Sequence, residues 1–328
     1  MSKPFPAMGP VLAAAVLVAG LAGPAAAQQD WPKKPVTLIV PFAAGGGTDA
    51  FARPLAAFWE NKLGVRILIE NKAGAGGTVG ASAAAKAAPD GYTLFIGAAH
   101  HAIAPALYPK LDYDIEKDFV PIGVISVVPQ VVVVNPQKIT AKTMAEFIAA
   151  AKAKPGTLNF ASAGHGTTHH LAGELFKLVT GTQITHVPYR GAGPAMTDLV
   201  AGHVDMMFDG LGSSAERISG GQLRALGVAA DKRSPSFPDV PTAAEAGVQG
   251  YVVSTWYALW APKGTPPAMV ERIQAELKST LSQPATKETW FRNGSDIPDL
   301  YGEAFGRFVS AEVVRWGKVV RDANVKLD

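Results

Sequence analysis

The chain contains no cysteine. That excludes disulfides, thiolate nucleophiles, cysteine-ligated zinc and a lipidated N-terminal anchor. Charge is scarce too. Only 17% of the 328 residues are charged, and 30 basic residues against 27 acidic ones leave a net +3. The two signs alternate along the chain, so there is no basic stripe of the kind nucleic acid requires. A hydrophobic fraction of 48% rules out a disordered chain or a coiled coil. Beyond the first segment no run of apolar residues is long enough to span a bilayer without a charge or a proline. There is no GxxxxGK[ST] phosphate loop, no HExxH zinc helix and no internal repeat. What the chain does have is 34 glycines and 25 prolines, which imply many tight turns. Its length allows one large or two ordinary domains.

Residues 1–27 read as a cleavable export signal. Lys3 gives a positive start, Val11 to Leu21 is an apolar run too short to cross a membrane comfortably, and Ala25, Ala26 and Ala27 supply the small residues before the cut. The alternative is a retained anchor. The expectation is a soluble protein exported to the periplasm.

The rest alternates strand, loop and helix. Val36–Val40 is a buried strand, 41–49 a glycine loop, and a helix runs from about Asp49 to Lys62. A strand at Val65–Ile69, a second glycine loop at 73–80 and a helix to about Ala87 lead to a strand at Tyr92–Gly97. After Asp118 the pattern restarts. Thr143-x-x-Glu146 is a capping box, and a strand at Leu158–Ala161 runs into the loop Ser162–Thr168 and a helix. Strands follow at Thr185–Pro188, Val204–Phe208 and Leu223–Ala229, and Thr242-x-x-Glu245 caps a short helix stopped by Gly247. Pro266 opens a helix to Ser282, and an amphipathic helix covers Gly302 to Asp322. This alternation predicts an α/β fold built on mostly parallel sheets. Val120–Val134 and Tyr251–Trp260 are long apolar strands that would cross between two lobes. The lobes are expected at 28–128 plus 253–328, and at 129–252.

A strand that delivers a glycine-rich loop into a helix start makes an anion site. Free amides point out of the first turn, the helix dipole favours negative charge, and glycine lets an anion approach closely. This occurs at Gly45–Asp49, Gly74–Thr78 and Gly164–Thr168, with Thr48, Thr78, Thr167 and Thr168 adding hydroxyls. Three such loops split over two lobes point to a carboxylate-binding cleft. The competing reading is an oxidoreductase, because Gly45-x-Gly47-x-x-Ala50 follows a strand and Glu70 ends the next one. Against it, Pro41 and Phe42 interrupt the turn, and an exported protein meets little free nicotinamide cofactor.

The remaining candidates each carry a bland alternative. His165 and His169 are four apart with His170 adjacent, an approximation to metal-ligand spacing; neither a metal nor any cofactor is expected. Ser162 lacks the first glycine of a nucleophile elbow, with Phe160 in its place, so catalysis by it is not expected. Asp49 either complements a helix dipole or accepts a ligand group, and Asp209 admits the same two readings. His100 and His101 are placed at a strand end or loop, with a pocket role as the alternative. Alternation puts Trp256 and Trp260 on one face and Tyr257 on the other; one is expected in the core, and Trp256 is taken as pocket wall. Tyr189 is a further pocket candidate, beside Arg190 as a partner for a second ligand carboxylate.

The segments Ile39–Asp49, Asn71–Gly80, Ala88–Leu94, Ser162–Thr167, His170–Phe176, Val187–Gly191, Phe237–Thr242 and Ala261–Pro266 together resemble one family over nearly the whole chain after residue 30. It is the Bug, or tripartite tricarboxylate transporter, family of periplasmic substrate-binding proteins. The resemblance implies a two-lobed Venus-flytrap fold of type II with two hinge strands, no enzymatic activity, and a small carboxylate held between the lobes. It places that carboxylate on the loops matching Phe42–Asp49 and Ser162–Thr168. Gly46, Gly47 and Thr48 would donate from one lobe, assisted by Gly77 and Thr78. Ser162, Gly166, Thr167 and Thr168 would close from the other. His165 stands where the family commonly has an uncharged polar residue, which points to a second carboxylate or an aromatic acid on the ligand. The implied partner is a tripartite-type membrane permease or a sensor, with no nucleic acid, and the protein is expected to be a monomer.

Overall fold

In a computed structural model the described residues are 31–322 with Met1, Val325 and Lys326. The export segment at 1–27 therefore lies, Met1 apart, outside the described residues. The chain divides at Trp31–Pro32, and the fold below is that of the unit from Pro32 onward.

The apolar run Val36–Val40 is β1. It pairs in parallel with β2 (Ile67–Asn71) on one side and β3 (Thr93–Ala98) on the other. Parallel neighbours need crossovers, and α1 (Gly47–Leu63) and α2 (Thr78–Ala85) supply them. After α3 (His100–Leu107) comes the long strand β4 (Phe119–Val134), then α4 (Met144–Ala153), β5 (Asn159–Ser162), α5 (Thr168–Thr180), β6 (Thr185–Pro188) and α6 (Ala192–Ala201). The chain continues through β7 (Met206–Gly210), α7 (Leu211–Ser219), β8 (Arg224–Val228) and β9 (Ser254–Pro262), and closes with α8 (Pro267–Ser282), α9 (Pro284–Arg292) and α10 (Gly302–Asp322).

The strand order is β2-β1-β3-β9-β4-β7-β5-β6, with β8 also on β4. β4 belongs to two sheets in turn. Phe119 to Pro129 runs antiparallel to β9, and Gln130 to Val134 runs antiparallel to β7. The change falls at a proline, which has no N–H to give a ladder; the next residue, Gln130, donates instead to Val253 O at 2.9 Å. β4 crosses from one sheet to the other as expected, whereas β9 pairs only with β3 and β4 in the first sheet and Tyr251–Val253 lie before the strand; the architecture is a two-lobed α/β fold with mixed, helix-flanked sheets.

Alternation along β4 then sorts side chains onto two faces. Val132 and Val134 join Phe147, Phe160, Phe176, Phe208 and Tyr251 in one core. Val131 and Val133 join Met196, Leu199 and Met207 in another. On the first sheet a third core gathers Phe95, Phe119, Trp256 and Trp260 under α10, which contributes Phe305, Val309, Trp316 and Val320 at helical spacing.

Three expectations are corrected. His100 and His101 open the helix α3 rather than a loop. α7 and α9 are helices that the sequence did not announce. The Thr242 box forms, with Glu245 N–H donating to Thr242 Oγ1 at 3.1 Å and Thr242 N–H to Glu245 at 2.8 Å, yet it closes only a turn. Gly247 at φ +91° stops it before a helix can propagate.

Candidate functional site

Four helices start at the junction of the two sheets with glycine as N-cap: Gly46 for α1, Gly77 for α2, Gly191 for α6 and Gly210 for α7, none with a side-chain cap bond. The first amides of a helix lack intrahelical partners, so each of these ends presents donors no side chain caps. A fifth, α5, is capped by Thr167, whose Oγ1 accepts from His170 N–H.

These ends meet almost backbone to backbone. A Cβ placed on Gly193 would lie 1.9 Å from Ala44 O, one on Gly46 3.2 Å from Ala192 Cβ, and one on Gly76 2.6 Å from His165 O. Ala43 N–H donates to Arg190 O at 3.3 Å. Tyr108 Oη donates to His165 O at 3.1 Å, and Thr168 N–H donates to His100 Nδ1 at 3.1 Å. The three loops singled out from the sequence thus face one another. A fourth, Gly191 to Gly193, carries the same signal in the sequence, a glycine pair before a helix.

The individual residues divide into those aimed at the junction and those that hold it together. Gly47 opens α1, and a Cβ there would sit 2.0 Å from Tyr257 Oη. Thr48 is buried in the same turn. Phe42 stacks edge-on against His100 at 5.0 Å, and Gly77, at φ +96°, leaves room for the Phe42 ring, 2.7 Å from where its Cβ would be. Thr168 is fully buried beside His100. Gly166, at φ +72°, lies against Leu107.

Other candidates are occupied with local work. Asp49 accepts from Gly45 N–H at 2.9 Å, from Arg53 Nε at 2.6 Å and from Asn71 at 3.3 Å, so the geometry favours its loop-holding reading. The Thr78 hydroxyl donates to Ala75 O at 2.9 Å. Thr167 Oγ1 donates to Gly164 O at 2.7 Å. Ser162 Oγ accepts from Gly164 N–H at 3.0 Å and lies 2.6 Å from His186 Nε2. Tyr189 Oη donates to Asp198 at 2.7 Å. Asp209, fully buried, is matched by His169 Nε2 at 3.0 Å, Ser213 at 2.7 Å and Ser214 at 2.6 Å. Trp256 is a correction. Its ring packs on Trp260, Phe305 and Phe308, and its indole N–H donates to Glu312 at 3.0 Å. It is core, and the residue that faces the junction is its neighbour Tyr257, as alternation requires.

The electrostatics follow from burial. Burial, then the neighbouring His169 and His101, hold His100 well below the ordinary imidazole range. Burial pushes His101 down to about 4. Both are therefore neutral at neutral pH, and His100 serves as an acceptor. Burial, with Asp209 nearby, pushes the Tyr257 hydroxyl far up, so it stays protonated. Two openings flank the junction. One, about 780 Å³, is lined by Gly45, Ser213, Arg53, Arg217 and Arg292 among others. The other, about 520 Å³, is lined by Gly76, Tyr108, His165, Tyr189 and Arg190 among others. Ser213 and Tyr108 were not found from sequence, because only the fold brings them to the glycine loops; His100 and Tyr257 were considered there but not assigned to the site.

Two sheets joined by a crossing strand, with glycine-capped helix ends converging where they meet, are the arrangement of a solute-binding protein. Residues 51–325 match the family described as the tripartite tricarboxylate transporter family receptor, and the chain belongs to that family. BugT of Bordetella pertussis is 38% identical over 314 residues, covering 95% of this chain and 96% of BugT. A Rhodopseudomonas palustris protein solved with adipate superposes with a TM-score of 0.86 at 36% identity, covering 90% of this chain and 99% of that one. MatC from Rhodopseudomonas palustris, solved with bound malate, gives 0.82 at 37% identity, covering 88% and 100%. The oxidoreductase reading is overturned by this membership.

Proposed function

We propose that this protein is an exported receptor that captures a small carboxylate between its lobes and presents it to a tripartite-type membrane permease or a sensor. The observation that carries the reading is the convergence of four glycine-capped helix ends, α1 and α2 from one sheet and α6 and α7 from the other, with the α5 start between them. Amides so arranged favour an anion by both hydrogen bonding and dipole. The relatives solved with adipate and malate support a carboxylate as that anion. The lobes are 28–128 plus 253–328, and 129–252, with the signal removed after Ala27. The donors are the main-chain amides at Gly46, Gly47 and Thr48, with Thr168 N–H released from His100; those of Gly77 and Gly166 already donate to Gly74 O and His170 Nδ1 and must change partner to take part, and Phe42 and Tyr257 wall the site.

The ligand bridges both lobes only when they are closed, so binding shifts the population toward the closed form. The test is thermal unfolding of protein purified under denaturant and refolded, against a panel of mono-, di- and tricarboxylates. A ligand at a hundred times its Kd adds about 2.7 kcal/mol of stability, and at least one acid should raise Tm accordingly. A panel without effect, alongside a clear shift from a nicotinamide dinucleotide, would sink the proposal.

A further inference from the structure

We propose that His165, His170 and His186 form a binding site for one divalent transition-metal ion of the zinc, nickel or copper class, beneath the loop between β5 and α5. The three residues come from that loop, from the first turn of α5 and from β6, and each offers a ring nitrogen within 4.8 Å of those of the other two. His170 and His186 stack face to face at 4.1 Å, and His165 meets both edge-on, at 5.7 and 5.0 Å. Phe160 stacks on the other ring contact of His186 at 4.9 Å and fixes its plane.

The chemistry of the cluster is that of a borderline metal's ligand set. Neutral imidazole suits zinc, copper and nickel, and three of them leave a fourth position for water. His165 Nδ1 is buried with no hydrogen-bond partner, a cost that a bound cation removes. His170 Nδ1 accepts from Gly166 N–H at 3.2 Å, a bond that a metal on that nitrogen displaces, and Glu174, 3.9 Å from Nε2, stands near enough to turn onto the far nitrogen as the usual carboxylate support of a metal-bound imidazole. Glu174 itself is balanced by Lys177 at 2.7 Å.

Metal–nitrogen bonds of about 2.0–2.1 Å around a tetrahedral ion set the nitrogens about 3.4 Å apart, so the rings must draw in by about 1.4 Å at most. The segment that can move is His165, flanked by Gly164 at φ +126° and Gly166 at φ +72°. The sequence expectation of no metal rested on His165 and His169. His169 is committed to Asp209, and the third ligand, His186, comes from a different strand. The site shares the Ser162–Thr168 loop with the proposed carboxylate site but does not rest on that reading, since none of its ligands is a carboxylate donor.

The test uses untagged, chelator-stripped protein free of carboxylate. Calorimetric titration with zinc chloride should give one equivalent bound, with a rise in Tm, and cobalt(II) should show the intense visible absorption of a tetrahedral site. His165→Asn and His186→Gln should each lose that binding, whereas His203→Asn, at an exposed histidine elsewhere, should keep it. Because the His186 variant can fail to fold, ring-nitrogen NMR of the wild type provides a second reading. Zinc should perturb the rings of His165, His170 and His186 and leave His203 unchanged. No zinc uptake, uptake that survives His165→Asn, or perturbation centred on His100 and His169 would each overturn the assignment.

Discussion

Gly193→Ala tests whether the two lobes of this protein separate. Its Cβ would lie 1.9 Å from Ala44 O, and real Cβ atoms essentially never come under 3.0 Å, so the contact has to open by more than 1 Å. The backbone of Gly193 sits in α6 outside the left-handed region, so alanine brings no conformational strain of its own. The obstruction lies wholly between one lobe and the loop of the other. If the lobes can part, opening relieves it and the cost falls on the closed form alone. An overpacked contact costs about 1–3 kcal/mol. Charged to closure, this weakens binding of a carboxylate probe about 5- to 150-fold, while the urea midpoint of the free protein barely changes. Gly46→Ala should act in the same direction and less strongly, since its Cβ would stand 3.2 Å from Ala192. Calorimetric titration with malate or adipate, small-angle scattering and urea unfolding measure the three quantities. Wild-type affinity in Gly193→Ala, or a stability loss with no loss of affinity, would refute the idea that closure on these loops holds the ligand.

Two further outcomes follow from buried contacts. Gly47→Ala drives a methyl to 2.0 Å from Tyr257 Oη and should destabilise by about 1–3 kcal/mol. Tyr257→Phe in the same chain should restore part of that, since the next atom, Cζ, is 2.8 Å away; additive effects in a double-mutant cycle would show that the contact is not formed. His101, pushed from 6.5 down to about 4 by burial, binds its proton more weakly folded than unfolded. Its neutral form therefore supports the fold fully above pH 6.5, and that support is lost as pH falls from 6.5 toward 4. The loss reaches roughly 3 kcal/mol, with His100 adding in the same sense. Urea unfolding between pH 7 and pH 4.5 should show a shallower pH slope in His101→Gln, and parallel slopes would contradict the assignment.

The parts of this molecule that were readable in advance are those governed by local rules. β1, α5 and α10 follow from apolar runs, an N-cap and helical periodicity, and β4 and β9 from uninterrupted apolar length. The glycine loops were readable because a glycine before a helix exposes amides whatever the rest of the fold does. α7 was missed because Gly210, its N-cap, has no capping side chain, and its first turn, Leu211 to Ser214, is bland in sequence. Trp256 and Tyr257 show the limit clearly. Alternation separated their faces correctly, but only the packing of α10, with Glu312 placed to receive two indoles, decided which face was core. His100 and His186 act on partners 68 and 24 residues away, and no spacing rule reaches that far.

The pairing of Thr168 with His100 bears on what the site can select. With the lobes in contact, the α5 amide is satisfied by a neutral imidazole from the opposite lobe, so a ligand that takes this donor must give more than it displaces. A neutral acceptor exchanges one ordinary hydrogen bond for another and gains little. A carboxylate exchanges it for a charge-assisted bond, roughly twice as strong, and adds the dipoles of the glycine-capped helices. The imidazole thus sets a threshold that negative charge clears and neutral polarity does not. On this argument the neutral amide of whichever carboxylate raises Tm should bind far less well than the acid, a discrimination produced by a protein acceptor without any cationic side chain at the donor.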